Sequence, residues 1–97
     1  MTAEAQPQLK GGRIARSAVM LCKDSNFRLW LDRRCKAKFQ MDIADGTHTE
    51  QDAKDFILKW CEIDSRALLD HNKQAGQRYG YMLNHYRKWV ANTGRQQ

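Results

Sequence analysis

The sequence predicts an all-α fold, a small bundle of four to five helices with a long C-terminal helix. Three observations carry this expectation. Apolar residues recur at helical spacing in successive segments. Residues that start helices stand ahead of those segments. No stretch alternates polar and apolar residues as a half-buried strand does, and no internal repeat is present. A chain of 97 residues, 41% of them hydrophobic, can build one core but not two. Residues 13–97 are therefore expected to form a single helical domain.

Residues 1–12 are Gln-rich, with Pro7 and the Gly11–Gly12 pair, and offer little to bury, so they are expected to be a disordered tail. The first helix is predicted from Arg13 to about Lys23, with Ile14, Ala18 and Leu21 as its core stripe. Its other face carries Arg13, Arg16, Met20 and Lys23. Asp24, Ser25 and Asn26 are all good N-cap residues and break the chain there. The second helix is predicted from about Asn26 to Lys38, with Phe27, Trp30, Leu31 and Cys35 inward.

Residues 40–48 read as a loop built on Asp42, Asp45 and Gly46. Either Thr47 with Glu50 or Thr49 with Asp52 can form a capping box for a third helix that ends near Cys61. Its stripe is the cleanest in the chain: Ala53, Phe56, Ile57, Trp60 and Cys61. Asp64 or Ser65 can cap a short fourth helix over residues 66–69. Asn72 can then cap a long fifth, from about Lys73 to Ala91, before Gly94. Ala75, Tyr79, Met82, Leu83, Tyr86, Trp89 and Val90 mark its buried side. Gly76 and Gly80 inside it each cost about 1 kcal/mol of helix propensity, which a close backbone approach would explain.

Charge is sorted along the chain. Residues 1–40 carry nine Lys/Arg against three Asp/Glu, residues 41–72 three against eight, and residues 73–97 five against none. Two basic blocks around an acidic waist suit a binding protein that steers an anionic partner to one face. The outer side of the last helix aligns Arg78, Tyr81, His85 and Lys88. Arginine with aromatic rings suits phosphate contact with stacking, and equally a protein hot spot. These residues are the first candidates for partner contact, with Arg13, Arg16 and Lys23 second. A helix-turn-helix reading of residues 53–84 is weak, because the short middle element is apolar apart from Arg66.

No catalytic constellation is apparent. His48, His71 and His85 are scattered and share no metal-ligand spacing with cysteine. Asp70-His71-Asn72 has a superficial likeness to nuclease fragments but lacks a second histidine and a carboxylate pair, and Asn72 as a cap explains it more economically. Cys22, Cys35 and Cys61 are odd in number and widely spaced, as free thiols in a reducing compartment would be. No apolar run approaches the roughly 20 residues that span a bilayer, and no signal-peptide core is present. The expectation is a cytoplasmic protein that is not an enzyme and uses no metal or cofactor.

Two runs, Gly12-Arg13-Ile14-Ala15-Arg16-Ser17-Ala18-Val19-Met20-Leu21-Cys22 followed by Phe27-Arg28-Leu29-Trp30-Leu31, and Cys61-Glu62-Ile63-Asp64-Ser65-Arg66-Ala67-Leu68-Leu69-Asp70-His71-Asn72, resemble the anti-RecBCD proteins (the Abc family) from the recombination region of lambdoid phages. Size, basic charge and the span from Gly12 to Trp89 are similar to that family as well. The resemblance implies a modulator of the host helicase–nuclease RecBCD that binds its RecC subunit and alters the enzyme, so that phage recombination proceeds on the processed ends. It assigns no residue roles. A net charge of +6 argues against DNA mimicry by an acidic surface and for an acidic or mixed protein partner, with possible phosphate contact beside it. The alternative is a basic nucleic-acid-binding accessory of phage recombination or replication.

Overall fold

The structure, a computed structural model, describes residues 10–94. Four α-helices follow one another: α1 (Arg13–Lys23), α2 (Ser25–Phe39), α3 (Glu50–Cys61) and α4 (Lys73–Gly94), with a 3₁₀ turn (Arg66–Asp70) between the last two. The fold is all-α, and no strand occurs among the described residues. Residues 1–9 of the expected tail lie outside the described residues.

The start of α1 is fastened from a distance. Gly12 stands at its N-cap and has no side chain to accept the first free N–H groups. Asp70 supplies the missing acceptor. Its carboxylate takes the N–H of Gly12 at 2.8 Å, of Ile14 at 3.0 Å and of Ala15 at 2.9 Å. The positive end of the helix favours that negative charge. His71 Nε2 lies 2.7 Å from the Lys10 carbonyl oxygen. Residues 10–12, expected as tail, are thus tied to the 3₁₀ turn.

The inward face of α1 differs from the expected stripe. Ala15, Ala18 and Cys22 are buried, whereas Ile14 and Leu21 are only partly so. Small side chains let the backbones approach closely here. A Cβ at Gly11 would lie only 2.6 Å from the Ala15 Cβ and 3.4 Å from the Ala67 Cα. The larger residues flank the contact.

Asp24 alone separates α1 from α2 and caps the latter, accepting the Asn26 N–H at 2.9 Å. Phe27, Trp30 and Leu31 are buried as expected, while Cys35 is half-buried. Asp32 is buried beside them at 1% exposure and fell outside the apolar reading. It accepts from Gly46 N at 2.8 Å and His48 N at 2.9 Å, and meets His48 Nδ1 at 2.6 Å. Those bonds hold the loop after α2 against the helix that precedes it. Of the two capping boxes, Thr49 with Asp52 forms, with bonds of 3.1 and 2.9 Å in the two directions.

In α3, Ala53, Ile57 and Cys61 are buried, with Phe56 and Trp60 at the edge of the core. The expected fourth helix is a 3₁₀ turn instead, started by Ser65, which accepts from Ala67 N at 3.2 Å. Five residues are too few to establish an i→i+4 ladder before Asn72 begins the next helix. Asn72 caps α4 by accepting from Ala75 N at 3.1 Å. The helix continues to Gly94, three residues beyond the expected end, and Thr93 Oγ1 bonds back to the Trp89 carbonyl at 2.6 Å.

Helix α4 closes the core with Ala75, Tyr79, Met82 and Tyr86. The Tyr86 ring meets Phe27 edge-on at 5.3 Å and lies 5.7 Å from Trp30. Its hydroxyl donates to Asp24 at 3.3 Å, and the Tyr79 hydroxyl shares a 2.8 Å hydrogen bond with Ser17. No helix among the described residues is long and apolar enough to cross a membrane.

Candidate functional site

The outward stripe of α4 is present as the spacing requires. Tyr81 is 62% exposed, and its ring meets His85, one turn later, edge-on at 4.7 Å. Arg78 sits one turn earlier, half-buried, with its guanidinium 3.7 Å from the Glu62 carboxylate. Lys88 is exposed one turn past His85.

What the sequence did not show is the neighbour of this stripe. Trp60, at the end of α3, donates its indole N–H to the Arg78 carbonyl at 2.9 Å and so joins α3 to α4. Trp60 lines one open groove with Gln74, Gln77, Arg78 and Tyr81. It also lines an adjoining groove with Trp30, Arg34, Met82 and His85. The Arg34 guanidinium lies over the Phe56 ring at 5.2 Å and over Trp60 at 5.5 Å. Phe56 and Trp60 stack on each other at 5.9 Å. One continuous face therefore brings together Arg78, Tyr81, His85, Trp60, Arg34 and Phe56. Trp60 and Phe56 were legible only as core residues, because the helical spacing that marks a buried stripe cannot tell its centre from its rim.

The second set of candidates does not join that face. Arg13, Arg16 and Lys23 are exposed on α1. Lys23 lines a groove with Met20, Leu83 and Arg87. Arg16 lines another with Lys54 and Arg66. Neither groove shares a residue with the two at Trp60.

Several cations of α2 are taken up within the fold. Arg28 donates to the Cys22 carbonyl at 2.8 Å. Arg33 makes a two-pronged pair with Asp45 at 3.1 and 3.0 Å. Lys38 lies over its neighbour Phe39 at 5.9 Å.

The groups with catalytic potential are dispersed. His48 is hydrogen-bonded to Asp32 and His71 to the Lys10 carbonyl, while the His85 ring packs against Tyr81. Asp70 and His71 bond the backbone of residues 10–15 and Asn72 that of Ala75, so all three act as fasteners of helix ends. Burial raises the Cys22 thiol pKa, against the opposing pull of Arg66, and pushes Cys61 up to about 11. A thiol so held is neutral near pH 7. Among the described residues, no three His, Cys, Asp or Glu side chains gather into a set that could hold a metal ion. Comparison with family models, curated proteins and solved structures found no match to this chain.

Proposed function

We propose that this chain is a binding protein, not an enzyme, and that the Trp60–Tyr81 face is where it docks on a partner protein. The observation behind the reading is the composition of that face. An exposed tyrosine stands beside a groove walled by tryptophan and arginine, the three residue types most enriched where interfaces concentrate their energy. Arg34 already lies over two rings, and Tyr81 meets His85 edge-on, so less side-chain freedom remains to be lost on binding.

The partner is drawn from the resemblance. By it, the chain modulates the RecBCD helicase–nuclease in the cytoplasm of a phage-infected bacterium, through the RecC subunit, so that phage recombination can proceed. The second reading, a nucleic-acid accessory, draws on the net charge of +6. It fits this face less well. Arg78 shares its charge with Glu62 and Arg34 is spent on rings, which leaves Lys88 and a histidine for phosphate.

A pull-down with purified RecBCD, coupled to degradation of linear duplex DNA, tests both readings. Stable binding and altered degradation are expected, and Tyr81→Ala should weaken binding by about 2 kcal/mol, near thirtyfold. An effect below about 0.5 kcal/mol would remove this face, because near-neutral contacts only surround a hot spot. No capture of RecBCD, with salt-sensitive DNA binding lost in Arg78→Ala, would favour the accessory.

A further inference from the structure

The chain folds a basic trough on a different side from the docking face. Two grooves share Val19, Lys54 and Arg66 and so run into one another along α1, α3 and the 3₁₀ turn. Arg16, Lys23, Lys54 and Arg66 line them. Two of these cations come from the stretch that reads as acidic in sequence, and folding sets them beside the basic α1.

Three features define what such a trough can take. First, its cations lack carboxylate partners among the described residues, although Arg66 also bears on the Cys22 thiol. None of the four lies within 4.0 Å of a carboxylate among the described residues, although Glu50 and Asp64 line the same trough and Lys54 and Arg66 are half-buried. Half-burial raises the reward for an anion, because the local dielectric is below that of water. Second, part of the trough is close-packed backbone and small side chains: Gly11, Ala15 and Ala67 are too near one another for a side chain at residue 11. Third, no aromatic ring lines it. Arg16 and Lys23 stand seven residues apart on one helix, about 10 Å, close to the axial rise of three base pairs.

We propose that this trough binds the phosphodiester backbone of duplex DNA without reading its bases. A single strand would call for stacking rings, which the trough lacks. The contact is weak, since four cations neutralise few phosphates, and it loosens as salt rises. It shares no residue with the Trp60 grooves, so its failure and that of the docking face are separately visible.

The experiment is fluorescence anisotropy of a short labelled duplex titrated with the full chain across a range of NaCl concentrations. The logarithm of the association constant should fall against the logarithm of salt with a slope near −3.6, about −0.9 for each of four phosphates. In Arg16→Ala/Lys54→Ala the slope should drop to about −1.8. Arg16→Lys/Lys54→Arg, which keeps both charges, should retain the original slope and shows that the loss comes from charge and not from damage to the fold. Tyr81→Ala should leave it unchanged. No duplex binding at low salt, an unchanged slope in the alanine variant, or binding of polyglutamate in place of duplex would each overturn the proposal.

Discussion

Two glycines four residues apart on α4 should respond differently to the same substitution. Glycine inside a helix costs about 0.8–1.0 kcal/mol relative to alanine. At Gly80 nothing in the fold opposes the exchange, for a Cβ there would meet no atom within 4 Å. Gly80→Ala should therefore stabilise the protein by about 0.8 kcal/mol, a rise in Tm of about 3–6 °C for a domain of this size. At Gly76 the Cβ would come within 3.3 Å of the Leu69 carbonyl oxygen and 3.8 Å of the Ile14 side chain. The first of these is backbone of the 3₁₀ turn, which Asp70 ties to α1, so it yields poorly. Gly76→Ala should thus lose most or all of the propensity gain and finish at least about 0.5 kcal/mol below Gly80→Ala. Urea unfolding followed by tryptophan fluorescence measures both. Equal gains at the two positions would refute the close approach at Gly76. A loss at Gly80 would refute the claim that its outer side is open.

Asp32→Ala strands donors on Gly46 and His48 and should cost about 2–3 kcal/mol in urea unfolding, with water replacing part of the bond at the exposed Gly46. Burial raises the Asp32 pKa, but bonds from His48 and from the Gly46 and His48 backbone outweigh this and hold it below the usual carboxylate range. Its stabilisation is therefore present above about pH 4 and is lost as pH falls through the lower folded value. The pH dependence of the urea midpoint should flatten in Asp32→Ala. At the other extreme, burial and the neighbouring Asp24 push Tyr86 up to about 12, so the folded state keeps a proton that the unfolded chain releases near pH 10. Stability should fall between about pH 10 and 12, and Tyr86→Phe should shrink that fall. Cys35 is half-buried while Cys22 and Cys61 are buried, so a thiol reagent should modify one cysteine in the native protein and three in urea. Rapid modification of all three would refute the burial of Cys22 and Cys61.

The helices were legible because their signals are local. Thr49 with Asp52, Ser65 and Asn72 act on backbone groups two or three residues away, and each caps as its position suggests. The misses share a different cause. Asp70 caps α1 from 55 residues or more away in sequence, and Asp32 holds a loop 14 and 16 residues on. Neither acceptor stands beside its donors in the chain. The α1 stripe was displaced for a related reason. Hydrophobicity marks Ile14 and Leu21, but the space between α1, α3 and the 3₁₀ turn admits only Ala15, Ala18 and Cys22 at its centre. On α4 the candidate residues were readable as a stripe. The groove that gives them a purpose depends on Trp60 and Arg34 arriving from two other helices.

The same distinction changes what the charge pattern means. In sequence, residues 41–72 form an acidic waist of eight carboxylates that could face a second partner. In the fold, most of them are engaged. Asp45 pairs with Arg33, Asp52 closes a capping box, Asp55 accepts from Gln51, Glu62 lies beside Arg78, and Asp70 caps α1. Asp45, Asp52, Asp55 and Asp70 each accept a hydrogen bond from the protein's own donors, while Glu62 only lies near a guanidinium. Asp24 and Asp32 outside the waist are used likewise. The carboxylates therefore act chiefly as internal acceptors that fix helix ends and loops, whereas Arg16, Lys23, Lys54 and Arg66 line open grooves with no carboxylate partner among the described residues. Folding thus gathers four cations from an acidic stretch and a basic helix into one trough, where they outnumber the two carboxylates, Glu50 and Asp64, that line it. That asymmetry is what an anionic partner would meet first.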